Sequence, residues 1–175
     1  PDDQTTEALI LKAQEMCLSA GLTGAHEAGV SPAEIEVYRA LDRAGRLKMR
    51  VYVMVSGPYA LRYFSENQPE IGERVTVRAA KCYMDGAMGS RGSWLLEAYA
   101  DRPLADDGTP YAGLAVSQPR VIFDIAEHAL AHGYQLCTHG IGDRGNREIL
   151  DAYARAFANA SPGDHRFRVE HAQLL

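Results

Sequence analysis

Two histidines, His139 and His171, each close a short run of strand-forming residues: Gln135-Leu-Cys-Thr-His139 and Phe167-Arg-Val-Glu-His171. Between them lies a helix-length segment from Asp143 to about Ala158. A strand, helix, strand order makes the two strands parallel near neighbours, so both imidazoles leave the same carboxyl-terminal sheet edge. Neighbouring strands lie ~4.8 Å apart, which brings two imidazoles within reach of one divalent metal ion. Neutral imidazoles suit zinc. Lys81 lies on the preceding strand, and its amine joins such a centre only if its charge is removed, for instance as a carbamate. Each residue has a plain structural alternative: a hydrogen-bonded strand-end histidine, or a lysine that snorkels to solvent. Their agreement in position favours the metal.

The elements that must position these groups follow from periodicity and punctuation. Thr5 and Thr6 are candidate caps of a first helix, with Leu9, Ala13, Met16, Cys17 and Ala20 at helical spacing until Gly21. Residues 22–26 suggest a short strand ending at His26. Ser31-Pro-Ala-Glu34 is a capping box with proline at the first helical position, and its helix closes near Ala44-Gly45. Strands are expected at 49–55 and 75–83, with a helix from Pro58 to about Asn67 between them. Residues 86–117 are rich in glycine and proline and lack periodicity; a connection that long in a compact domain is usually functional or mobile. A helix from 118 to 132 is stopped by Gly133.

Strands alternating with helices define an α/β protein with a parallel sheet. Two architectures compete. A (β/α)8 barrel carries its site on the carboxyl ends of its strands but typically needs ~250 residues. An open doubly wound sheet is possible at this length and places its ligand at a topological switch point. Gly140-Ile-Gly142-Asp-Arg-Gly145 matches GxGxxG between a strand and a helix, with Glu170 at the end of the next strand, which is the dinucleotide-binding pattern. Against it, Asp143 puts a carboxylate where a pyrophosphate would sit, and the motif comes late in the chain.

The chain has 175 residues, is 46% hydrophobic and 23% charged, and carries a formal charge of -5, enough for one sizeable core and without a basic surface for a polyanion. Nucleic-acid and membrane partners are therefore not expected. No apolar run approaches the ~20 residues of a membrane span. Cys17, Cys82 and Cys137 form no CxxC pair and suit free thiols in a reducing, cytoplasmic compartment. Oligomeric state is left open.

Several ordered motifs together carry a family resemblance. Val77-Arg-Ala-Ala-Lys81-Cys-Tyr-Met-Asp85-Gly86-Ala-Met-Gly89-Ser-Arg91, then Tyr99-Ala-Asp101, His139-Gly-Ile-Gly-Asp143-Arg and Arg168-Val-Glu170-His171-Ala172, resemble amidohydrolase family 3 of the amidohydrolase superfamily, which includes N-substituted formamide deformylases. Gly21-Leu-Thr-Gly-Ala-His26-Glu-Ala-Gly29 is similar to the family's second-strand segment, with Glu27 where aspartate is expected. The resemblance implies that residues 1–175 form one partial (β/α)8 barrel domain, roughly strands two to six. It also implies that Lys81 is the carboxylated fourth-strand ligand and that His139 and His171 are the fifth- and sixth-strand ligands. The first-strand His-x-His pair is expected before Pro1 and the eighth-strand aspartate, the general base, beyond Leu175.

The implied activity of the full-length parent is metal-assisted hydrolysis of a small-molecule, non-peptide amide-type carbon–nitrogen bond, with zinc as the cofactor. The isolated chain is expected to be inactive. Asp85 and Arg91, just past the fourth strand, are candidate substrate-binding residues, with Arg91 suited to a carboxylate. His26 is a third candidate, although a core hydrogen bond competes. Asp143 is expected to cap the following helix. Glu127, His128 and His132 suit a solvated helix edge, and Trp94, Tyr99 and Tyr111 either cover an apolar substrate or pack the long segment. The alternatives are a non-catalytic α/β fragment or binding module, or a dinucleotide-binding domain using Gly140, Gly142 and Gly145.

Overall fold

The computed structural model describes residues 2–175. Eleven elements follow one another among them: α1 (Asp3–Ser19), β1 (Gly24–Val30), α2 (Pro32–Arg43), β2 (Arg50–Ser56), α3 (Gly57–Glu66), β3 (Glu70–Ile71), β4 (Val75–Tyr83), α4 (Pro119–His132), β5 (Gln135–Gly140), α5 (Asp143–Ala158) and β6 (Arg168–His171). The strand order is β1-β2-β4-β5-β6, with β3 on β4. The chain divides into two compact units, residues 1–80 with 132–134, and residues 81–131 with 135–175.

In the first unit β1 and β2 pair in parallel through the α2 crossover, with His26 opposite Tyr52 and Glu27 opposite Val53. β2 buries Val51, Val53, Met54 and Val55, so its second half is covered on both faces. α2 buries Ile35, Val37, Tyr38 and Leu41, and α3 buries Ala60, Tyr63 and Phe64. The Phe64 ring stacks on Tyr134 at 4.1 Å between centroids. The capping box is formed on both sides, since Ser31 Oγ accepts from the Glu34 amide and the Glu34 carboxylate accepts from the Ser31 amide.

Three local expectations change. α1 begins two residues before Thr5, capped by Asp2, whose carboxylate accepts from the Thr5 amide at 2.8 Å. Its Leu9 and Met16 are exposed, whereas Thr6 and Gln14 are buried. Gln14 explains the chosen face: its amide donates to the Arg46 carbonyl and accepts from the Lys48 amide, fixing α1 by polar bonds instead of its apolar stripe. The antiparallel β3, two residues long, carried no periodicity that could announce it.

In the second unit β5 and β6 pair in parallel through α5, with His139 opposite Glu170 and Gly140 opposite His171. Leu136 and Cys137 of β5, Ile149, Ala152, Tyr153 and Ala156 of α5, and Ile122, Ile125, Ala126 and Ala129 of α4 are buried. The long segment is neither helix nor strand yet is closely tied. Leu95 donates to Ala112, Tyr99 to Tyr111, Tyr111 to Pro103 and Leu114 to Gly92 through their backbones. Gly113 is required there: its φ is +88°, and a Cβ would lie 1.8 Å from the Ser93 carbonyl oxygen. Among the described residues no helix is long and apolar enough to cross a membrane.

Ser31→Ala removes one half of the capping box and is expected to lower stability by about 1 kcal/mol. Chemical denaturation checks this, and an unchanged midpoint would mean that the box contributes nothing.

Candidate metal centre

Lys81, His139 and His171 all belong to the second unit. Parallel pairing sets His139 and Glu170 on one face of the sheet, and simple alternation would send His171 to the other. Instead His171 and Ala172 adopt φ values of +75° and +44°, in the left-handed region. The His171 ring ends 4.6 Å from that of His139, the two planes crossing at 72°. Backbone strain of this kind gathers at functional sites, where the surroundings must hold it in place. Here the Ala172 and Leu174 amides donate to the Gly140 and Ile141 carbonyls, anchoring the turn.

The Lys81 side chain is buried, with Nζ 3.4 Å from the centre of the Tyr83 ring and 3.1 Å from the Cys82 carbonyl oxygen. Burial pulls its pKa down, while the Glu170 carboxylate acts in the opposite direction. Glu170 also accepts from Arg168 Nε at 2.6 Å. Burial lowers the pKa of His139 too; its contact with the Gly86 carbonyl raises it and the neighbouring His171 lowers it further. The thiols of Cys82 and Cys137 are pushed up to about 12 by burial, which keeps both protonated in the metal-free chain.

Asp85 is not an open substrate carboxylate. It is buried, Oδ1 accepts from the Ile141 amide at 3.0 Å, and Oδ2 accepts from the Gly142 and Trp94 amides at 2.8 and 2.9 Å. Arg91 is engaged as well, in a forked pair with Asp101 on the exposed side of the long segment. His26 belongs to the first unit, on β1, where its ring stacks on Tyr52 at 4.9 Å. Tyr99 donates to the Ser93 carbonyl and Tyr111 to the Arg91 carbonyl, so both pack the long segment. Trp94 is half-buried beneath the Arg144 guanidinium. Glu127 is exposed on α4, with His128 and His132 half-buried.

The glycine motif has a physical cause other than a dinucleotide. A Cβ on Gly142 would lie 2.0 Å from the Trp94 carbonyl oxygen, and one on Gly145 would lie 2.7 Å from Asp85 Oδ2. The amides leading into α5 are engaged within the chain: Ile141 and Gly142, in the turn before it, donate to Asp85, and Gly145 in its first turn donates to the Trp94 carbonyl. Those three donors serve the chain's own Asp85 and Trp94 and not a pyrophosphate, which disfavours the dinucleotide alternative. Asp143 also departs from expectation. Gly142 is the cap residue, and Asp143, the first residue of α5, accepts from the Arg144 amide at 2.8 Å and from the Leu96 amide of the long segment at 2.9 Å.

As a metal site the donor set fits in part. Two imidazoles held ring to ring, one with its neutral form favoured, and a buried amine with a lowered pKa match the chemistry of a divalent cation. Among the described residues no group of three or more His, Cys, Asp or Glu side chains could hold a metal.

This α/β arrangement is that of known metal-dependent hydrolases. A solved structure of an uncharacterized metal-dependent hydrolase from Pyrococcus furiosus is similar with a TM-score of 0.82 and 29% identity, over 95% of this chain and 33% of that one. The chain belongs to the amidohydrolase family, which it matches over residues 2–175. It is 35% identical over 105 residues to the protein LONG AFTER FAR-RED 3 of Arabidopsis thaliana, 60% of this chain and 17% of that protein. It is 26% identical over 170 residues to the N-substituted formamide deformylase of Arthrobacter pascens, 97% of this chain and 31% of that enzyme. The chain thus spans a third or less of the length of these relatives.

Two outcomes follow from the local geometry. Gly142→Ala is expected to destabilise by at least the roughly 1–3 kcal/mol of ordinary overpacking, read by thermal unfolding. His139 in the metal-free protein should titrate below 6.5, its ordinary value. The folded chain binds this proton less readily than the unfolded one, so stability holds above 6.5 and falls as pH descends through the folded value. Imidazole NMR and unfolding midpoints between about pH 7.5 and 5.5 check both, and His139→Gln should flatten part of the fall.

Proposed function

We propose that Lys81, His139 and His171 are metal ligands in a hydrolase that cleaves amide-type carbon–nitrogen bonds of small molecules, and that the metal is zinc. The observation that carries this is the meeting of the two imidazole rings, 4.6 Å apart, at the carboxyl ends of adjacent parallel strands. Family membership supports a hydrolase, and the deformylase relative supports an N-acyl or N-formyl substrate.

When bound, such a cation polarises a carbonyl and lowers the pKa of water to about 7. The chain's own residues prepare for it. The depressed pKa of His139 keeps its ring neutral and able to donate a lone pair at neutral pH. Burial favours the uncharged amine of Lys81. That amine can add to carbon dioxide, forming an N–C bond and releasing a proton, to give a carbamate oxygen ligand. In the metal-free chain Lys81 Nζ lies over the Tyr83 ring, 3.4 Å from its centre. The site supplied by residues 1–175 is partial on this proposal, and the resemblance assigns the other ligands and the general base to segments outside it.

The 175-residue chain is therefore expected to bind zinc weakly and to hydrolyse no N-acyl substrate, while the complete protein hydrolyses them. In the complete protein His139→Ala or His171→Ala should weaken zinc binding by more than the roughly 10–100-fold that loss of a ligand's hydrogen-bond partner costs. Zinc titration with an N-substituted formamide assay decides. Robust turnover by the 175-residue chain would overturn the partial site, and unchanged zinc affinity in both variants would overturn the ligand assignment.

A further inference from the structure

We propose that Asp85 is a positioning residue for His139, holding the ring as the tautomer that carries its proton on Nε2 and leaves Nδ1 free for a metal. The proposal relies on the metal centre above for what His139 binds, but not for how His139 is held. Asp85 lies two residues beyond β4, and its side chain is completely buried. Its three amide donors come from two places distant in sequence: Ile141 and Gly142, in the turn that carries β5 into α5, and Trp94 in the long segment. A buried carboxylate with three such donors is a strong anchor, because leaving any of these amides unpaired costs its full desolvation.

The anchored turn begins two residues after His139. Asp85 Oδ1 and the Gly86 carbonyl oxygen each lie 3.5 Å from His139 Nε2. Both are acceptors, so a neutral ring is held best with its proton directed at them. A ligating histidine whose second nitrogen is held in this way has its tautomer and orientation set before a metal arrives. The Met84 amide donates to the His139 carbonyl at 2.9 Å, which fixes the backbone at the same level. Gly142 and Gly145 give the carboxylate and the Trp94 backbone room to approach. One side chain thus joins the exit of β4, the exit of β5, the start of α5 and the long segment around one imidazole.

Nitrogen-15 NMR of the imidazoles, at a pH where the ring is neutral, tests this without metal. The wild-type chain should show His139 protonated on Nε2. Asp85→Asn, which turns an amide donor toward amide donors, should give mixed tautomers, faster exchange of the Ile141, Gly142 and Trp94 amides, and zinc affinity lowered by about 10–100-fold. Asp143→Asn loosens another tie between α5 and the long segment, at Leu96, and should leave the tautomer and zinc affinity unchanged. A wild-type ring protonated on Nδ1, an unaltered tautomer in Asp85→Asn, or an equal effect of Asp143→Asn would overturn the proposal. If Asp85→Asn does not fold, the wild-type tautomer and the Asp143→Asn comparison decide. Failure of the wild type to bind zinc would instead remove the metal assignment and leave the tautomer to judge Asp85.

Discussion

The parallel pairing of β5 with β6 is the constraint from which the rest of the site follows. A helical crossover returns the chain in the same direction, so both strands finish at one edge, and the register sets His139 level with Glu170 and Gly140 level with His171. Alternation then works against a shared site, since residues one register apart point to opposite faces. The left-handed backbone at His171 and Ala172 resolves the conflict by turning the second ring back toward the first. Strain of this kind costs on the order of 1–3 kcal/mol per residue and persists only where other bonds hold it. The amides of Ala172 and Leu174, bonded to the carbonyls of Gly140 and Ile141, are such bonds.

The electrostatics of the same edge follow from burial. Withdrawal from water disfavours the charged forms of both Lys81 and His139, lowering the pKa of each. Glu170 works against this at Lys81, but it is itself engaged by Arg168, and its pull is smaller than the effect of burial. The balance suits groups that must donate electron pairs and would be counterproductive in groups meant to hold an anion.

Much of this was visible in the residues alone. Local periodicity located every helix and every strand but β3 to within a few residues, because amphipathic spacing and the Ser31 and Gly133 punctuation act within single elements. His139 and His171 were legible because a strand end is a local feature and a crossover helix dictates neighbourhood. Asp85 was legible only as an acid in a glycine-rich stretch. Its partners Ile141 and Gly142 are 56 and 57 residues away in sequence, and no pattern reports a contact at that range. Arg91 shows the same limit at shorter reach, since its carboxylate partner Asp101 is the chain's own. The apolar stripe of α1 misled for another reason: Gln14 carries paired backbone bonds that decide the orientation, and hydrophobic spacing is blind to them.

The match of Gly140-x-Gly142-x-x-Gly145 to a dinucleotide fingerprint then has a physical origin. Such glycines permit close approach to the first amides of a helix, and those amides, with the positive end of the helix dipole, favour an anion. Neither requirement specifies whose anion it is. In this chain the Asp85 carboxylate occupies the place that a pyrophosphate takes in nucleotide-binding proteins, accepting from Ile141 and Gly142 while the Trp94 backbone closes over Gly142 and Gly145. The same three-glycine spacing therefore marks a helix start built around a buried negative charge. An acidic residue just beyond a preceding strand, such as Asp85 beyond β4, is the feature that indicates the charge is internal.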